Sequence, residues 1–252
     1  MTSKHHFLIA ACALAFLAVA PQAQARDWGW TRGEQVKGDG KIQRQARETG
    51  HFTGLSFSLP GKVEVRSGGK EGVTVETDAN LLPLIETVVE NGTLKIRAKN
   101  HANLQTRTLR FVVQARDLER LSLAGSGDVD ADVLRGQRIR VDIGGSGNVR
   151  VGKVEGAGMD VDIGGSGDLE VDGGNARSLS ISIAGAGDVD MGRVRSEDAR
   201  VNIAGSGDAK VWARNQLDVA VAGSGDVDYY GDPRVRKSVA GSGDLRRVAA
   251  QP

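Results

Sequence analysis

Between Ala124 and Asp244 the sequence carries one pentapeptide seven times. "AGSGD" begins at Ala124, Ala204, Ala222 and Ala240, "GGSGN" at Gly144, "GGSGD" at Gly164 and "AGAGD" at Ala184. A serine between glycines, followed by a carboxylate, has the residue types of a nucleophile turn, a phosphate loop or a calcium loop. A serine nucleophile needs a positioned base. Beyond the N-terminal region the chain has only His51 and His101, both outside the repeat, and the fourth copy carries Ala186 where the others have serine. A phosphate loop opens a helix, whereas each copy here leads into a strand-like segment. Calcium β-rolls repeat about every nine residues, with a residue between the last glycine and the aspartate; here the aspartate follows directly. No metal and no cofactor is expected. The serine is read as a turn residue whose hydroxyl bonds the local backbone.

The spacing of the copies shows what the turns belong to. Gly125, Gly145, Gly165, Gly185, Gly205, Gly223 and Gly241 are separated by 20, 20, 20, 20, 18 and 18 residues. A constant period of this length signals stacked supersecondary units. Aliphatic residues alternate with polar ones on both flanks: Leu121 and Leu123 before the first turn, Val129 after it, then Val141, Ile143 and Val149 in the next copy. Period-2 alternation means strands with one buried face. Each unit is a strand, a glycine turn, a strand and a looser return. The fold class is therefore all-β, a parallel β-solenoid flattened between two sheets, with coils of about 20 residues and tight GSG turns. Seven coils at the inter-strand spacing make a rod of roughly 30 Å. The turns need glycine twice per copy, at the positions above and at Gly127, Gly147, Gly167, Gly187, Gly207, Gly225 and Gly243. Gly127, Gly167 and Gly207 are expected in conformations that a β-carbon resists. Lys237 falls on the inward row of the last coil and marks it as an end coil.

Stacking also aligns Asp128, Asn148, Asp168, Asp188, Asp208, Asp226 and Asp244. Like charges about 5 Å apart would repel by roughly 1 kcal/mol per pair in water and about 3 at an effective dielectric of 20. Backbone N–H donors at the turns are the expected compensation, with solvent and nearby arginines helping.

The rest of the chain bounds the protein's class. Phe7–Ala20 is an apolar run after a weakly basic start, and Ala23-Gln24-Ala25 is a cleavage signal, so residues 1–25 read as a secretory signal peptide. Ile9-Ala10-Ala11-Cys12 resembles a lipobox, but the apolar run continues beyond the cysteine. The processed chain is expected to contain no transmembrane segment and no cysteine. Its 32 basic residues, 33 less Lys4, balance 32 acidic ones, which argues against a nucleic-acid partner. Residues 26–35 read as a leader, 36–247 as one solenoid domain (36–120 non-repeating, 121–247 repeating) and 248–252 as a tail. Within the non-repeating part, "NLLPLI" reads as a single helical turn. Glu90-Asn91-Gly92-Thr93 reads as a type I′ hairpin.

The order "GHFTGLSFSLPGKVEVRSGG", then "VTVETDANLLPLIETVVENGTLKIRA", then serial "GSGD" turns resembles the GIN domain, also called the auto-transporter adhesin head domain. The resemblance covers about residues 36–247. It implies a right-handed solenoid related in shape to pectin-lyase-like folds, an exported location and an adhesion role, and it carries no catalytic residues. The expectation is a non-enzymatic binding or scaffolding protein of the bacterial envelope, in periplasm, outer envelope or medium, with a glycan or protein ligand. Self-association is left open. The alternative is a polysaccharide-active enzyme on a β-helix, which would need a cluster of acids and bases breaking the repeat on one face. Trp212 and Tyr230, seven residues past successive turns, are expected outward and side by side. They read either as a flat binding patch or as a cover for the C-terminal end, with Tyr229 and Pro233 beside them.

Overall fold

The computed structural model describes residues 35–249; the signal-peptide reading, Cys12 and most of the leader lie outside them. The non-repeating part contributes β1 (Gln35–Lys37), β2 (Ile42–Glu48), β3 (Gly54–Phe57), β4 (Lys62–Ser67), β5 (Gly72–Asp78), β6 (Ile85–Glu90), β7 (Thr93–Ala98), β8 (Asn103–Gln105) and β9 (Arg110–Ala115). The repeats contribute β10 (Arg120–Gly125), β11 (Asp128–Gly145), β12 (Val149–Gly165), β13 (Leu169–Val171), β14 (Gly174–Gly185), β15 (Val189–Gly205), β16 (Ala209–Gly223), β17 (Val227–Tyr230), β18 (Arg234–Gly241) and β19 (Leu245–Arg247).

The repeat strands stack in parallel, one coil on the next. β11 pairs with β12 from Val129↔Val149 to Gly145↔Gly165, a constant offset of 20 residues. The alternating aliphatic residues all point inward: Leu121, Val141, Val161, Ile181 and Val201 are at most 1 % exposed and form one core with Val129, Val149, Leu169 and Val189. One expectation needs correction. The returns are not loose in every coil. β11 runs from one turn to the next, and its ladder continues round the bend through Gly136↔Gly156. Equal coil lengths and small residues at the bend let the hydrogen bonds persist there. Seventeen of the strands therefore form one continuous sheet, with β1 and β8 paired separately.

Where the period shortens from 20 to 18, the ladder registers the change. Between β15 and β16 the pairing jumps from Met191↔Val211 to Arg195↔Trp212, and then from Ser196↔Ala213 to Asp198↔Gln216. The first jump leaves three extra residues on β15 and the second one extra on β16, which together give the two-residue difference.

The non-repeating part extends the same stack out of chain order. β3 pairs in parallel with β10 on one side and β7 on the other; β4 does the same with β11 and β9. Leu59-Pro60-Gly61 stands where the glycine turn would be, and the Gly61 carbonyl accepts from Asp128 N–H at 2.9 Å. Two large rings fill this wider section: Phe57 and Phe111 meet edge to face, with centroids 5.3 Å apart. Antiparallel strands then close the end, β6 on β7, β5 on β9 and β2 on β5. The hairpin at Asn91-Gly92 has φ of 51° and 72°, as a type I′ turn requires, and Leu82–Leu84 forms a single 3-10 turn.

Candidate functional site

The glycine turns are built by stacking backbone on backbone. From the second turn on, the residue between the glycines donates its N–H to the first-glycine carbonyl of the preceding coil: Ser146 to Gly125 at 2.9 Å, Ser166 to Gly145 at 2.8 Å, Ala186 to Gly165 at 2.9 Å. Ala186 serves as well as serine because the shared contact is the N–H. The serines themselves are exposed, so the expected role for the hydroxyl gives way to one for the main chain.

The two glycines of each turn are needed for different reasons. The first row, Gly125 through Gly241, has φ between 111° and 141°. The second row does not have positive φ, which corrects the expectation for Gly127, Gly167 and Gly207. A Cβ on Gly167 would instead lie on the carbonyl oxygen of Gly147 and against Ile143 Cγ2 at 2.9 Å. The requirement there is close approach of two backbones.

The acidic row is satisfied from coil to coil. Asp168 Oδ1 accepts the N–H of Asp188 at 2.9 Å, Asp188 that of Asp208 at 2.8 Å, Asp208 that of Asp226 at 2.7 Å and Asp226 that of Asp244 at 2.8 Å. Asn148 joins the same ladder, its side-chain oxygen accepting from Asp168 N–H at 3.4 Å. The carboxylates are thus turn acceptors, and among the described residues no group of acids, histidines or cysteines is arranged to hold a metal ion.

The outward faces carry ion pairs across coils. Arg140 reaches Asp142 at 2.9 Å and Asp162 at 2.8 Å; Arg150 reaches Asp172 at 2.9 Å. The bond to Asp142, with the Asp162 charge behind it, holds the Arg140 guanidinium above its ordinary pKa. Arg150 is raised in the same way by Asp172 and then Glu170. These groups are half exposed, so solvent screening leaves the pairs little weight in stability. His51 bonds Glu71 at 3.0 Å in an exposed position outside the repeat.

The expected exposed pair of Trp212 and Tyr230 does not form. The two are neighbours in register, but Tyr230 is only 8 % exposed. Gly192 makes room for it, since a Cβ there would come within 2.8 Å of the Tyr230 ring. Trp212 is half-buried, with the Arg195 guanidinium 5.9 Å from its ring centroid. The extra residues of β15 at Gly192–Val194 create this pocket. The register change was visible in the spacing, but where it would fall around the coil was not.

Sequence reading missed one surface feature. A shallow groove of about 810 Å³ runs along the solenoid beside the turns, crossing every repeat coil from Ser122 to Ala240. Its floor is the small residue before each turn, among them Ala124, Gly164, Ala184, Ala204 and Ala222, and Asp142 and Asp162 stand along its side. The signal was the unbroken run of alanine or glycine at this position.

No curated protein matches the chain. Solved structures do. A "putative adhesin" from Bacteroides fragilis NCTC 9343 is 22% identical with a TM-score of 0.76, covering 84% of this chain and 100% of its own. A "putative lipid binding protein" from Parabacteroides distasonis ATCC 8503 is 25% identical with a TM-score of 0.70, covering 85% and 100%. A "putative adhesin" from Parabacteroides merdae ATCC 43184 is 19% identical with a TM-score of 0.61, covering 86% and 100%. The family model described as "Putative auto-transporter adhesin, head GIN domain" matches residues 51–233. The non-repeating block from β3 onward and six of the seven turns fall within that match, and the chain belongs to the GIN-domain family.

Proposed function

We propose that the protein is a non-enzymatic, adhesin-like binding rod of the bacterial envelope, and that its lateral groove makes the contact. The observation that carries this reading is the groove itself. It crosses all seven coils with small side chains on its floor, a shape suited to an extended ligand such as a glycan or a protein strand. The polar rows change sign freely from coil to coil, as at Asp130, Arg150, Glu170, Asp190 and Lys210, and gather no acid–base pair around one point. The names of the similar structures support the adhesin reading. The lipid-binding name of one of them supports an acyl chain as a second occupant, because alanine methyls and glycine backbone make the groove floor apolar. The reading of residues 1–25 as a signal peptide supports an envelope location, as does the family. No helix among the described residues is long and apolar enough to cross a membrane.

The test is Ala204→Arg, which fills the groove from an exposed position. Labelled protein is titrated onto bacterial envelope fractions and onto phospholipid vesicles. The reading requires the variant to lose envelope binding at an unchanged melting temperature; loss confined to vesicles selects the lipid occupant. Release of reducing ends from envelope polysaccharide by the unmodified protein would replace this reading with the enzymatic one.

A further inference from the structure

The two ends of the stack are finished differently. At the non-repeating end, antiparallel strands cover the last coil, and Arg47 on β2 donates to the carbonyls of Ile85 and Leu82 at 2.7 and 2.8 Å. At the other end, among the described residues, β18 pairs only with β16 and β19 only with β17. Their outer edges present backbone groups that pair with no other strand among the described residues. The core residues of this coil, Val235, Val239 and Leu245, are only partly buried, and Lys237 is exposed.

This edge is already patterned for another coil. In every earlier coil the turn carbonyl and the Asp or Asn side chain accept N–H groups from the coil that follows. Gly241 and Asp244 hold the same positions, and among the described residues no donor reaches the Asp244 carboxylate.

The charges select what can dock. Residues 231–249 carry five basic side chains against two acidic, while residues 213–230, on which they stack, carry three acidic against one basic. The two coils meet through Arg246–Asp228 at 3.0 Å, Arg246–Asp226 at 3.3 Å and Arg236–Asp218 at 3.9 Å. Arg234 and Lys237 have no carboxylate within 4.0 Å among the described residues. A second copy of this edge would set like charges against like, which opposes self-pairing. An acidic strand would repeat the match already made between the last two coils.

We propose that the C-terminal end of the solenoid is a docking edge for an acidic strand–turn–strand segment of another protein, added as a further coil by β-augmentation. The probe is a fluorescent synthetic peptide with the sequence of residues 217–230, read by anisotropy against the full-length chain. Saturable binding is expected. Replacing the three aspartates of the peptide by lysine weakens it at least tenfold. Arg234→Glu with Lys237→Glu weakens the acidic peptide by a similar factor and takes up the lysine peptide. Asp244→Ala, which spares the basic row on an exposed turn, lowers affinity severalfold and covers the case in which the double variant unfolds. Ala204→Arg leaves peptide binding unchanged, so this edge and the lateral groove fail or stand separately. Absent binding, or equal binding of both peptides, overturns the proposal. So does a self-associated state in sedimentation that Arg234→Glu with Lys237→Glu dissolves, because the occupant would then be a second copy.

Discussion

The repeat coils and the non-repeating block contribute to one core but hold their register by different means. In the repeats, β11, β12, β14 and β15 follow one another in chain order. Each turn lies on the one before it, with glycine against glycine and the N–H of one coil on the carbonyl of the last. In the block, β3 and β4 are inserted between β7 and β9 on one side and β10 and β11 on the other, so the order in space departs from the order in sequence. Register there comes from the Asn91-Gly92 hairpin and from interlocked phenylalanines. The repeats are specified by backbone contact, which leaves outward side chains free to vary. The block is specified by side-chain shape.

The hardest test of this contrast is a glycine in each region. Gly167→Val puts a side chain where Gly147 has its carbonyl. The backbones must separate and ladder bonds must break, so a loss of more than ~4 kcal/mol is expected in urea unfolding. Gly92→Ala, at φ 72° with open space around it, costs only about 1 kcal/mol. Comparable losses would mean that backbone contact has no special place in the repeats. Next comes Phe111→Ala, which removes a fully buried ring from the Phe57 pair. About 3–4 kcal/mol is expected, with no rescue by changes in the repeat coils.

The corner where the two coil lengths meet gives a smaller effect. Tyr230→Ala should cost about 3 kcal/mol, because its ring fills the notch over Gly192. Trp212→Ala, half-exposed under Arg195, should cost about 1 kcal/mol. If both variants keep the melting temperature and lose envelope binding instead, the aromatic-patch reading returns. Asp188→Ala removes one acceptor from the exposed ladder and should cost about 1 kcal/mol. Asp188→Asn should lose less than half of that, since Asn148 already serves in the row.

Most of the repeat half was legible because one periodicity determined strand, turn and inward face together. Leu121, Val141 and Ile143 are buried where alternation places them. The second-row glycines were legible as necessary but not for the right reason, because a sequence shows that glycine is required and not whether φ or a neighbouring backbone requires it. The fate of Tyr230 was not legible. It depends on where around the coil the three extra residues of β15 bulge, and that is settled by packing between coils. The stacking order of the block was illegible for a similar reason: alternation assigns β3, β7 and β10 to strands but does not choose their partners.

The last test concerns how the block is closed. Asp78, buried at the end of β5, accepts from Gly40 N–H at 2.6 Å and from the Thr106 hydroxyl, joining the β1–β2 connection to the segment after β8. Among the described residues the repeat coils bury no carboxylate in this way; their one buried polar side chain, Ser196, donates to the Trp212 carbonyl at 2.6 Å. The Thr106 bond, followed by that of Gly40, holds the carboxyl below its ordinary pKa. A folded-state value below the unfolded one, about 3.9, means that ionised Asp78 stabilises the fold above that pH. The contribution is lost as pH falls through the depressed folded value. Thr106→Val removes the larger of the two bonds. It should lower the melting temperature at pH 7, and the gap to the unmodified protein should narrow as pH drops below about 4. A gap that stays constant down to pH 2 would show that Thr106 acts through packing alone. The block would then be closed, like the repeats, without help from a buried charge.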